Sequence, residues 1–97
     1  MGERGGRLVT SVGPLRVQLL SIPDCPLVEQ VRAALDRALA VTAGTAAVEE
    51  LVGAYPSPTV LIDGRDVVTG APPILGARCR LDLPTTPQIV AALERRA

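Results

Sequence analysis

The chain has 97 residues, a formal net charge of zero and a hydrophobic fraction of 47%. That length sustains one hydrophobic core, and the apolar fraction is too high for disorder despite nine Gly and nine Pro. The absence of His, Lys, Trp and Phe excludes a Ser-His-Asp triad, an imidazole metal ligand, a Schiff base, a phosphate-loop lysine and an aromatic platform for nucleic-acid bases.

Residues 1–13 are rich in Gly and Arg, lack periodicity, and read as a flexible lead-in to a single domain over 14–97. Leu15, Val17 and Leu19 alternate with polar or opposite-facing neighbours, which predicts a strand ending near Ser21. Ile22-Pro23-Asp24 breaks it. Pro26 suits a first helical position, where its missing N–H costs nothing, and Val28, Val31, Leu35 and Leu39 continue an apolar stripe over about 26–40.

Residues 40–43 read as a very short strand, and Thr45 as the cap of a second helix reaching Gly53 with Val48, Leu51 and Val52 inward. Thr59-Val60-Leu61-Ile62-Asp63 is a continuous apolar run, expected as a central strand. Asp63-Gly64 signals a hairpin, with 66–69 returning. Pro72, Pro73, Gly76 and Pro84 make 70–84 an ordered loop. Thr86 is expected to cap a last helix with Pro87 at its first position and Ile89, Val90 and Leu93 inward. The predicted class is α/β, with a mixed sheet of three or four strands and helices on its faces. Its core is expected from Leu15, Val17, Val31, Leu35, Val60, Ile62, Ile89 and Leu93.

The ten cations are all Arg and lie scattered among ten acids, so no basic footprint for nucleic acid appears. No apolar run reaches the roughly 18–20 residues of a membrane span, and the N-terminal apolar stretch is too short for a signal peptide. The expected setting is cytoplasmic, with neither nucleic acid nor membrane as partner. The pattern specifies no oligomeric state. In that setting a lone pair of Cys is more often catalytic or metal-binding than a staple.

Cys25 falls between the first strand and the first helix, where free amide N–H groups and the helix dipole favour an anion. A thiolate is the form that attacks disulfides, peroxides and soft metals. Asp24 and Glu29 oppose it through like charge, and Asp24 is also the nearest acid. Cys79, between Arg78 and Arg80, is the candidate resolving thiol for a sulfenic acid or mixed disulfide on Cys25. Asp63, Asp66 and Asp82 read as turn or loop residues, and Thr69-Gly70 as a weak subsite for a small thiol's carboxylate.

A strand, then Cys25-Pro26 at a helix start, then Ser57-Pro58 opening a central strand, then Asp63-Gly64 and a closing helix: this order resembles the thioredoxin-like fold over about residues 14–96. The resemblance implies that Cys25 is the nucleophile. It implies a cis peptide at Pro58 facing that sulfur, and Ser57 as a backbone platform for substrate. Pro26, Pro58 and Arg80 are expected to bind substrate with Ser57, and Arg78 or Arg80 to add positive charge beside a thiol. More narrowly, SIPDCP, SPTVLIDGRD, GAPP and ARCRL are similar to small bacterial thioredoxin-like proteins labelled alkylmercury-lyase-like. The chain departs from the common Cys-x-x-Cys pattern, because Val28 stands where the second Cys would be. The second strand is shorter than in that fold.

The favoured expectation is a thiol-redox protein acting on a small thiol or protein disulfide, with no cofactor. The alternative is an organomercurial or soft-metal site, in which Cys25 and Cys79 supply two thiolates and Asp24 an acid. Structural zinc is disfavoured for want of four ligands. The missing Cys-x-x-Cys supports a third reading, a non-catalytic binding module.

Overall fold

A computed structural model describes residues 15–42 and 46–96. The expected lead-in at 1–13 and the expected cap Thr45 lie outside the described residues. The elements in chain order are β1 (Leu15–Ser21), α1 (Val28–Val41), β2 (Ala46–Val52), β3 (Pro56–Ser57), β4 (Thr59–Ile62), β5 (Arg65–Asp66), β6 (Arg78–Cys79) and α2 (Thr86–Arg96). The molecule is α/β, with one four-stranded mixed sheet in the order β2-β1-β4-β5 and a separate parallel ribbon of β3 and β6.

Alternation along β1 decides which residues make the core. Val17 and Leu19 point to one face and meet Ile62 and Val60 of the antiparallel neighbour β4. Both helices lie on that face. Val31, Leu35 and Ala38 of α1 and Ile89, Ala92 and Leu93 of α2 complete a single buried cluster with them. Burying a side chain such as Leu35 stabilises the fold by roughly 1.5–3 kcal/mol. Every core residue expected from the sequence is buried except Leu15, which is half-buried at the cluster's edge. On the opposite face, Leu20 and Leu61 are buried outside this cluster.

The Asp63-Gly64 turn has positive φ at both residues, +52° and +84°, as a two-residue hairpin matching the strand twist requires. Asp63 also closes the start of β1: its N–H donates to the Arg16 carbonyl at 2.8 Å, and its Oδ1 accepts from Arg16 N–H at 3.2 Å. The return strand is only Arg65–Asp66, shorter than the expected 66–69, because Asp66 Oδ1 accepts Val68 N–H at 2.8 Å and turns the chain.

Residues 46–52 form a strand, not the expected second helix, and of the short strand expected at 40–43 the described residues 40–42 are the end of α1 and its cap. The helix-like spacing of Val48, Leu51 and Val52 is overridden by β1, which pairs with β2 in parallel over seven positions, Leu15 with Ala46 through Ser21 with Val52. The second strand is therefore full length, against the expectation of a shortened one. Side chains hold it from both faces. Gln18 donates to Glu49 at 3.0 Å. Arg32 of α1 makes a two-pronged contact to Glu50, at 3.0 and 2.7 Å, and also pairs with Glu29. The Arg32 guanidinium holds the Glu50 carboxyl below its ordinary range.

α2 begins at Thr86, its expected cap, and the capping residue is Thr85, one position earlier. Thr85 Oγ1 accepts Gln88 N–H at 3.4 Å, and Gln88 Oε1 accepts Thr85 N–H at 2.9 Å, a reciprocal capping box. Thr86 is thereby freed to donate its hydroxyl to the Ala34 carbonyl of α1 at 3.3 Å. Thr85→Ala is expected to lower stability by about 1 kcal/mol in urea denaturation, because it removes the cap. A loss no larger for Thr85→Ala than for Thr85→Ser would show that the cap contributes nothing.

Candidate functional site

Three chain segments meet at one end of the sheet. β1 ends at Ser21 opposite the end of β2 at Val52, and β4 begins at Thr59 opposite Leu20. Gly53 N–H donates to the Ser21 carbonyl at 2.8 Å, which folds the 53–58 connection over the end of β1. Cys25, Ser57 and Pro58 all belong to this end.

Cys25 is buried, with 7% of its surface exposed, and is a free thiol. The turn delivering it runs through Asp24, which is exposed and sits in the left-handed region at φ +59°, a conformation that Asp tolerates. Helix α1 starts at Val28 and has Leu27 as its cap residue, so Cys25 and Pro26 stand in a preceding turn. The expected first helical position of Pro26 moves accordingly. Val28 N–H donates to the Cys25 carbonyl at 3.4 Å, and the first α-helical bond is Val31 N–H to Leu27 carbonyl at 3.3 Å. No side chain caps this helix. Its first amides therefore present partial positive charge towards the segment that carries the thiol.

The Ser57–Pro58 peptide is cis, as the resemblance implied. Both residues are wholly buried. Thr59 Oγ1 donates to the Pro56 carbonyl at 2.6 Å, bracing the same bend from inside. Ser57 differs from its neighbours: among the described residues, its Oγ is the one buried side-chain polar atom without a hydrogen-bond partner. Leaving a buried hydroxyl unmatched costs about 1–3 kcal/mol.

Cys79 comes to Ser57 rather than remaining in a distant loop. β6 pairs with β3 in parallel, Pro56 with Arg78 and Ser57 with Cys79. Arg78 N–H donates to Tyr55 carbonyl at 3.3 Å and Arg80 N–H to Ser57 carbonyl at 2.8 Å. The Cys79 thiol is free and exposed.

Arg80, expected to serve substrate and to add charge beside the thiol, is turned into the protein. It is 4% exposed. Its Nη1 donates to Asp66 Oδ2 at 2.6 Å and to Thr59 Oγ1 at 2.9 Å, while Nε and Nη2 grip both oxygens of Asp82 at 3.1 and 2.8 Å. The guanidinium is neutralised by two carboxylates, so it fastens β6 to the sheet and offers little to a ligand. Asp66 and Asp82, read as turn residues, are its partners. The Arg80 hydrogen bonds hold the Asp82 carboxyl below its ordinary range.

Among the described residues, no cluster of three or more His, Cys, Asp or Glu is arranged to hold a metal ion. No described helix is long and apolar enough to cross a membrane. No family model, curated protein or solved structure matches this chain, which leaves Cys25, Cys79 and the Ser57–Pro58 bend as the features from which its chemistry is read.

Proposed function

We propose that the chain is a thioredoxin-like thiol-redox protein with Cys25 as nucleophile and Cys79 as resolving thiol. The observation that carries this reading is a buried Cys25 one turn ahead of an uncapped helix, at the carboxyl end of a central strand. Ligand sites of open α/β sheets lie beyond the carboxyl ends of the strands. The strand order supports it too: a helix joins two parallel strands, the next strand runs antiparallel after Ser57-Pro58, and a hairpin leads to a closing helix. The short 53–58 connection leads from β2 towards β4.

The chemistry is a two-electron exchange. The Cys25 thiolate attacks a substrate disulfide RS–SR, forming Cys25–S–SR and expelling RS⁻, which takes up a proton. The Cys79 thiolate then attacks the Cys25 sulfur, forming an internal disulfide and releasing the second RS⁻. The substrate gains two electrons, and an external thiol reductant restores the two cysteines. The Ser57–Cys79 register holds the proposed resolving thiol beside the cis bend.

The test is the alkylation rate of Cys25 in a Cys79→Ser variant, which leaves one thiol. Iodoacetamide at pH 6–7 should modify Cys25 at least about tenfold faster than free cysteine, whose thiol is almost wholly protonated there. A rate equal to or below that of free cysteine, in a variant with native circular dichroism, overturns the nucleophile assignment.

A further inference from the structure

A cavity of about 310 Å³ opens between the β4–β5 hairpin and the last turns of α2. It lies at the far end of the sheet from Cys25, since Ile62 on its wall pairs with Val17 near the start of β1. Ile62, Val67 and Ala92 give it an apolar floor, and Arg65, Gly70 and Arg95 form its sides. Such a volume lies at the lower end of the range for small-molecule sites.

Its charge is unbalanced. Asp66 is the only carboxylate in the lining, and both of its oxygens are engaged elsewhere, Oδ2 by Arg80 and Oδ1 by Val68 N–H. Arg65 is held in place by one bond, Nη1 to the Gly70 carbonyl at 3.1 Å, with its other N–H groups left over. Arg95 forms no ion pair with any described residue. Two guanidinium groups therefore border an apolar hollow that contains no free acid. Arg is the side chain whose planar fork matches a carboxylate.

We propose that this cavity binds a small monocarboxylate with a compact aromatic or branched body. The body fills the floor of Ile62, Val67 and Ala92, and the carboxylate takes hydrogen bonds from Arg65 and Arg95. The site is independent of the thiol chemistry.

Titrating the ¹⁵N-labelled chain with phenylacetate should give saturable shifts confined to the amides around Val67, Gly70 and Ala92. Inorganic phosphate, which has charge without the body, and 2-phenylethanol, which has the body without charge, should each bind at least about tenfold more weakly. Arg95→Gln, at an exposed helix position, should weaken phenylacetate by a similar factor with the rest of the spectrum unchanged; Arg65→Gln should do the same. No saturable shift overturns the proposal, as does phosphate or 2-phenylethanol binding as tightly as phenylacetate. Undiminished binding by Arg95→Gln also overturns it, and that variant decides if Arg65→Gln disturbs the hairpin.

Discussion

Arg80→Met is expected to lower the stability of the chain by about 3–5 kcal/mol, a large part of the roughly 5–15 kcal/mol available to a small domain. The reason is what the substitution leaves behind. Asp66 is 6% exposed, and the Arg80 contact to its Oδ2 is its only ion pair among the described residues. Without the guanidinium, a buried carboxylate faces Thr59 and the sheet with no countercharge, and Asp82 loses its two-pronged contact as well. Replacing both members, Arg80→Met with Asp66→Leu, should recover most of the loss, because no isolated charge remains. Urea denaturation of the two single variants and the double variant measures this. A loss below about 1 kcal/mol for Arg80→Met, or a double variant worse than the sum of the singles, would show that the pair is not a buried lock.

The same cluster gives the fold an acid-sensitive element. The Asp82 carboxyl is held below its ordinary value of about 3.9 by Arg80, so its contribution is present above that value. The contribution is lost as pH falls through the lowered folded value. Glu50, lowered by Arg32, acts in the same direction. Arg80→Met should flatten the part of the acid transition that belongs to Asp82 and leave the Glu50 part in place.

How far the sequence disclosed this architecture depends on whether each element's signal is local. β1, α1 and the Asp63-Gly64 turn have patterns complete within a few residues, and they form where expected, within one or two positions. β2 has no such pattern. Most of its residues are exposed on both faces, so no apolar alternation marks it, and its pairing partner lies some 31 residues away in β1. Arg80 misleads for a related reason. Within Ala77-Arg78-Cys79-Arg80-Leu81 two arginines read as a solvated flank, yet the loop sends Leu81 outward and Arg80 inward, towards an acid 14 residues earlier. A clue was present in Asp66 itself, a carboxylate in the short strand that returns after a buried strand and its turn. Cys25 is marked by its place between a strand and a helix start, whereas the cis bend at Ser57-Pro58 was legible only through the resemblance to the thioredoxin-like fold. The Cys79–Ser57 pairing was not, since it needs the 53–58 and 76–80 segments to run side by side.

Mild peroxide should convert the wild-type chain to a species about 2 Da lighter, the mass of the two hydrogens lost when Cys25 and Cys79 join. Peroxide first transfers an oxygen to the Cys25 thiolate, giving a sulfenic acid and hydroxide, which takes a proton from solvent to become water; the Cys79 thiol then displaces the hydroxyl as a second water. Cys79→Ser interrupts the sequence after the first step, so a species about 16 Da heavier should appear and be trapped by dimedone. Cys25→Ser should show neither change at the same peroxide dose, since the exposed Cys79 has no helix start ahead of it. Forming the bond requires the two Cα atoms to come within about 7 Å, with sulfur geometry confined to a narrow range. Cys79 is carried on a two-residue strand held to 54–57 by backbone bonds at Gly76, Arg78 and Arg80, and the Arg80 lock fixes where that strand lies. Arg80→Met should therefore slow the 2 Da loss without slowing alkylation of Cys25. If instead the wild type forms a covalent dimer through Cys79, the resolving role passes to intermolecular exchange. If peroxide leaves Cys25 unmodified in every variant, the thiol-redox reading fails at its first chemical step.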